Sequence, residues 1–214
     1  FQGAREAESK AKRALALGKT AKAFGDDDDE ATSIGKHFDG EHAPTELTNR
    51  DLWKAVQAPA QSREGRRSPD VYQNVIDQFA VGTNPRYEPD APEKLRSHIF
   101  VWDVSRAMNC EIPHFVGAKE LSLAQTVDWL RHEGPMRGWT RATEEDAHAA
   151  AVGGQLAVAL PRDIKVKLMA IVLPEGELDD YGKPWVAGAA KTRAKRMSLA
   201  QALGSSNVEY FVHV

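Results

Sequence analysis

Cysteine is nearly absent from this 214-residue chain: Cys110 is the one present. An internal disulfide is therefore excluded, and the fold must be held by burial and hydrogen bonding. An excess of one charge sign is missing too. Lys and Arg total 28 against 31 Asp and Glu, a net charge of −3, so no global field points to nucleic acid or an anionic membrane surface. No apolar run approaches the roughly 20 residues of a membrane span. The acidic residues peak in the contiguous run Asp26-Asp27-Asp28-Asp29-Glu30. A metal site needs ligands converging from spaced positions around a turn, whereas a contiguous run in a Gly-flanked segment reads as a solvated loop. No metal and no cofactor are expected.

What is present is ordinary for a globular protein: 42% hydrophobic and 28% charged residues, enough for one sizeable core with a small appendage. Phe1-Gln2-Gly3 reads as a tag remnant and is set aside. Residues 4–67 read as an extension. Residues 4–24 have good helix propensity but a thin apolar stripe of Leu15, Leu17 and Phe24. The acidic loop follows, and residues 25–47 are expected to be mostly non-helical. Thr48-Asn49-Arg50-Asp51 resembles a capping box, which predicts a short helix through Leu52, Trp53 and Val56 to about Gln57. Pro59 to Ser68 reads as an exposed linker, so the main domain is placed at 68–214.

Within that domain Ser68-Pro69-Asp70 is a helix start, a Ser cap with Pro at the first helical position. Val71, Tyr72, Val75, Ile76 and Phe79 then share one face, and Asn84-Pro85-Arg86-Tyr87 turns the chain. Ser122 caps a helix with Leu123, Val127 and Leu130 inward, stopped at Gly134-Pro135. Thr143-Glu144-Glu145-Asp146 opens another that ends at Gly153-Gly154. Strands are predicted after that point: Leu156–Leu160, Val166–Leu173, Pro184–Ala187 and a half-buried Val208–Val214. Helices first and strands second is an α+β order.

The central stretch is Ser97-His98-Ile99-Phe100-Val101-Trp102-Asp103-Val104, the start of a buried helix. With the Asn84–Tyr87 turn and the loop Glu111-Ile112-Pro113-His114-Phe115-Val116, it resembles the nucleophile-helix region of bacterial papain-like cell-wall cysteine amidases, the NlpC and CHAP group. In those relatives the helix opens Cys-Asn-x-Phe-Val-Trp-Asp-Val, with the thiolate at the helix N-terminus, where free N–H groups and the dipole favour negative charge. The resemblance covers about residues 70–214. It implies a papain-like amidase fold: N-terminal helices packed on a small, mostly antiparallel sheet, preceded by the helical and irregular extension.

The resemblance also locates the relict site. Ser97 stands at the Cys position. A second stretch, Ala157 to Val172, aligns without a gap to "AVAW…GGIGHVAMV" of the relatives and puts Leu168 at the His position and Ile164-Lys165 at the Gly-Gly turn. The third polar residue of the set maps to Gly188. A deliberate Cys→Ser replacement would explain Ser97 alone but not Ser97 with Leu168. A serine hydroxyl needs an adjacent base, and Leu168 offers none. His98 follows Ser97 directly, about 100° around the helix. His114 and His132 are loop-borne alternatives, but nothing in the sequence requires either to act. Candidate cleft residues are His98, Trp102, His114, Trp129 and Trp139. For the tryptophans burial in the core is the more ordinary role, as a small buried hydrophobe is for Cys110.

The reading carried forward is a pseudoenzyme acting in binding or assembly on a protein partner or a peptidoglycan fragment, in a bacterial setting, cytoplasmic or at the envelope. Its rivals are an active hydrolase with Ser97 as nucleophile and His98 or His114 as base, and a secreted toxin or effector whose activity lies in the extension. An imidazole within reach of Ser97 Oγ would favour the first rival.

Overall fold

The computed structural model describes residues 52, 54–89, 91, 95–163, 165–190 and 192–214. The expectations for residues 4–47 and for the Thr48–Asp51 capping box lie outside these. Downstream, Pro69–Asp77 (α1) and Ser97–Ala107 (α2) precede a two-stranded hairpin, Phe115–Val116 (β1) and Lys119–Glu120 (β2). Then follow Leu123–His132 (α3), Trp139–Ala142 (β3), Glu144–Val152 (α4), Ala157–Pro161 (β4), Ala170–Val172 (β5), Val186–Ala189 (β6), Arg193–Met197 (β7), Leu199–Leu203 (α5) and Val208–His213 (β8). The main sheet has six strands in the order β3-β8-β4-β5-β6-β7, every neighbouring pair antiparallel. The class is α+β.

The helix starts follow their local chemistry. Ser68 Oγ accepts the Val71 N–H with Pro69 at the first helical position, Ser122 and Gln125 form a reciprocal capping box, and Thr143 accepts from Asp146. Helix α1 buries Tyr72, Val75 and Ile76. Tyr72 ties it to the sheet: its hydroxyl donates to Val172 O at 2.8 Å on β5.

Helix α2 is buried nearly all round, as a helix at the centre of a domain must be. Ser97, Ile99, Phe100, Val101, Trp102, Asp103, Val104, Ser105 and Ala107 are all buried, and the helix packs on β5 and β6. Just past its C-cap Met108, Asn109 adopts φ +55°, a left-handed conformation that Asn tolerates better than most residues. Ser105 Oγ accepts the Ile112 N–H at 2.9 Å and so fixes the start of the following loop.

Several sequence expectations are corrected. Residues 54–58 are not helical. Pro59 disfavours helical geometry at Ala58, and the Gln78 side chain clamps Ala60 from both sides, accepting its N–H at 3.0 Å and donating to its carbonyl at 2.9 Å. The stretch before Ser68 is more than an exposed linker: Ser62 is buried, its N–H bonded to Ala107 O at 2.9 Å, and Leu52 lies in the core. The domain therefore begins upstream of Ser68. The second strand is confined to Ala170–Val172, because the Met169 N–H leaves the ladder for Ser97 Oγ. The third is shifted to Val186–Ala189. The last strand is buried along both faces where alternation predicts one. It lies between β3 and β4, and its Glu209 is neutralised by Arg131 at 2.6 Å. Strands β3 and β7 and the hairpin are not anticipated.

Candidate functional site

The site is built on the first two turns of α2. Ser97 is the first helical residue and is fully buried. Its Oγ accepts the Met169 N–H at 3.3 Å, so position 97 faces the chain immediately beside Leu168, itself buried. Gly188 on β6 is adjacent: a Cβ built there would lie 3.6 Å from both Met169 O and the Ala170 Cβ. Three positions far apart in sequence thus converge, and none carries an acid or a base. Among the described residues no imidazole hydrogen-bonds to Ser97 Oγ.

The imidazoles gather beside this point, His98 from the next residue of α2 and His114 from the loop before β1. His98 and His114 have ring centroids 5.5 Å apart. His114 also lies 4.9 Å from Trp102 and 4.4 Å from Phe115, and Trp102 and Phe115 meet edge-on at 6.1 Å. His114 is 1% exposed. Its Nε2 lies 3.0 Å from Glu120 Oε1, out of line for a hydrogen bond, and neither of its ring nitrogens has a hydrogen-bond partner. His98 Nδ1 is buried and also without one. Burial pushes both histidines down to about 3, helped at His98 by His114 and Arg96 and at His114 by Arg86. Both are neutral near pH 7. Burial pushes Glu120 the other way, up to about 7. Trp102 donates its Nε1–H to Glu111 Oε1 at 2.7 Å, and the Arg86 guanidinium sits 5.8 Å from the Trp102 ring centre.

Behind this cluster lies a buried charge network. Arg86 donates from Nε to Asp103 Oδ2 at 2.7 Å and from a terminal nitrogen to Asp103 Oδ1 at 3.0 Å. The Tyr87 hydroxyl donates to Asp103 Oδ2 at 2.8 Å. Burial and the neighbouring Asp103 hold the Tyr87 phenol far above its ordinary value, so it stays a donor. Arg96 reaches Arg86 O at 3.1 Å. The Asn84–Tyr87 turn and the Trp102-Asp103 pair of α2 are thus one structural unit.

Of the sequence-predicted cleft residues, the structure brings together His98, Trp102 and His114. Trp139 is instead fully buried on β3, edge-on to His213 at 5.3 Å, and Trp129 packs half-buried against the core. Neither makes a ring contact with the cluster. His132 is exposed at the end of α3. Cys110 is buried and its thiol is pushed up to about 12, as an inert core residue would be. Sequence reasoning misses Glu111 and Glu120. A Glu beside the Ile112-Pro113-His114 phrase was the available signal for the first; nothing local marks the second.

Among the described residues no group of three His, Cys, Asp or Glu side chains is arranged to hold a metal ion, and no helix is long and apolar enough to cross a membrane. Compared with protein-family models and with curated proteins, the chain matches none.

Proposed function

We propose that this chain is a catalytically silent descendant of the papain-like cell-wall amidases, retained for binding or assembly. The observation that carries the reading is the Met169 N–H on Ser97 Oγ. The residue at the start of the buried helix faces the second core strand, where the fold would place a nucleophile against its base. The residues at that meeting point are Ser97, Gly188 and, next to Met169 in the chain, Leu168. A serine hydroxyl in that position needs a proton acceptor, and its one bond here is to a backbone donor. The His98–His114 pair does not supply the acceptor, since its rings engage Trp102, Phe115 and each other.

The test uses purified bacterial sacculi. The chain is expected to co-sediment with sacculi, or to be retained by a protein partner, and to release no muropeptides. Ser97→Cys should remain inactive, because members of a catalytic set act as a unit. Ser97→Cys with Leu168→His should regain at most a trace, since a misplacement of about 1 Å costs on the order of 100-fold. Muropeptide release by the unaltered chain that disappears on Ser97→Ala would overturn the reading in favour of a Ser97-based hydrolase.

A further inference from the structure

The β1–β2 hairpin is a slight element with an unusual underside. Its ladder has two residue pairs, Phe115 with Glu120 and Val116 with Lys119, and the Leu121 N–H closes back on His114 O at 2.8 Å. An isolated hairpin of this kind is marginal in water. It is held by what it lays on α2: the rings of His114 and Phe115, buried against His98 and Trp102. That contact places two imidazoles 5.5 Å apart, with buried nitrogens that make no hydrogen bond and one acceptor, Glu120 Oε1, 3.0 Å from His114 Nε2.

We propose that the β1–β2 hairpin is an acid-released flap: protonation of the His98–His114 pair detaches it from α2 and uncovers the apolar face formed by Trp102 and Phe115. A second positive ring at this spacing, in a site removed from water, is repelled by the first. Of the charged groups around the pair, two add to that repulsion and one, Glu120, opposes it. From the α2 start comes Arg96, and from the Asn84–Tyr87 turn comes Arg86, itself held by Asp103. Glu111, on the loop, is engaged by the Trp102 indole. Lys119 on the hairpin is exposed. The carboxyl nearest the pair is Glu120, which faces His114 from β2.

Glu120 sets the steepness. In the closed flap the histidines titrate at about 3 and Glu120 at about 7; released into water they return towards about 6.5 and 4.3. Opening between about pH 6.5 and 4.5 therefore takes up two protons on the histidines and gives up one from Glu120, a net gain of one. The open population should rise about tenfold per pH unit in that range. Below it Glu120 is protonated in both states, and the rise becomes about 100-fold per unit. The proposal does not depend on the ancestry of Ser97.

The test is amide hydrogen exchange by NMR on the whole chain from pH 7.5 to 4, corrected for the intrinsic pH dependence of exchange. Protection at Leu121 should fall with the slopes above while the β4–β8 ladder stays protected. Glu120→Gln should steepen the upper range to about 100-fold per unit. His98→Phe should flatten that range, and His98→Phe with His114→Phe should reverse its sign; if the double variant does not fold, the two single variants decide. Equal loss of protection in the hairpin and the β4–β8 ladder, or an unchanged slope in Glu120→Gln, overturns the proposal.

Discussion

Replacing Asp103 with alanine is expected to destabilise the domain by about 3–5 kcal/mol, the usual cost of removing one partner of a buried ion pair. The Asp103 side chain is 1% exposed and that of Arg86 11%. Removal would take two hydrogen bonds from the Arg86 guanidinium, which also donates to Lys54 O at 3.0 Å, and would take the carboxylate acceptor from the Tyr87 hydroxyl. Asp103→Asn, which keeps the shape and an acceptor oxygen, should cost less, about 1–3 kcal/mol. The pair itself need not be favourable relative to an apolar replacement: Arg86→Met with Asp103→Leu should recover part of the loss, because neither charge is then left alone. Urea denaturation of the unaltered chain, Arg86→Met, Asp103→Leu and the double variant, read as a double-mutant cycle with Asp103→Ala and Asp103→Asn alongside, checks this. A loss below about 1 kcal/mol for Asp103→Ala would mean that water reaches the guanidinium. The functional corollary concerns Trp102, whose ring is 5.8 Å from the Arg86 guanidinium and 4.9 Å from the His114 ring. A chain that loses the Asp103 anchor should also lose the order of the imidazole cluster.

The same residues show what was legible in the sequence. Three helix starts were, because a cap is a bond between residues three apart: Ser68, Ser122 and Thr143 each do what their spacing predicts, whereas the Ser198–Gln201 capping box of α5 was not anticipated. The position of Ser97 at the head of a buried helix was expected from the resemblance to the amidase helix, since no side-chain cap marks that start. The edge strands were not. Trp139–Ala142 and Arg193–Met197 carry Thr140, Arg141, Lys195 and Arg196 outward. Charged edges protect against stray pairing at the expense of the alternation by which strands are recognised. Partnerships across the fold were out of reach altogether. Arg86 and Asp103 each stood in a motif, but only the folded chain shows that one motif holds the other. Glu120 had no motif, and its proximity to His114 depends on a two-residue ladder that no periodicity announces. Pattern reading gives the elements that fold by local rules, whereas charge networks and acid-sensitive contacts depend on which elements the tertiary structure brings together.

The glycine pair at the end of α4 separates these two kinds of information at adjacent positions. Both residues read as a helix stop, yet substitution by alanine should affect them very differently. Gly153 has φ −74°, ordinary for any residue, and an added Cβ would sit 3.3 Å from Ala150 O and 3.4 Å from Ala149 O. Gly153→Ala should change stability by less than about 1 kcal/mol, since strain at that spacing is relieved by shifts of a few tenths of an ångström. Gly154 has φ +84°, where an L-residue is strained by about 1–3 kcal/mol. A Cβ there would lie 2.5 Å from Ser68 N, 2.6 Å from Ser68 C and 2.7 Å from Ser68 Cα. These are backbone atoms of the residue that caps α1, so no side chain can swing aside. Overpacking of this kind typically adds about 1–3 kcal/mol, and moving Ser68 jeopardises the bond from Val71 N to its hydroxyl, a cap worth about 1 kcal/mol. Gly154→Ala should therefore cost on the order of 3–5 kcal/mol. At about 2–4 °C per kcal/mol for a domain of this size, that is a fall of about 6–20 °C in Tm. Thermal unfolding of the two single variants side by side is the check. Equal, small effects at 153 and 154 would show that the α4–β4 junction and the α1 cap do not touch as the structure has them.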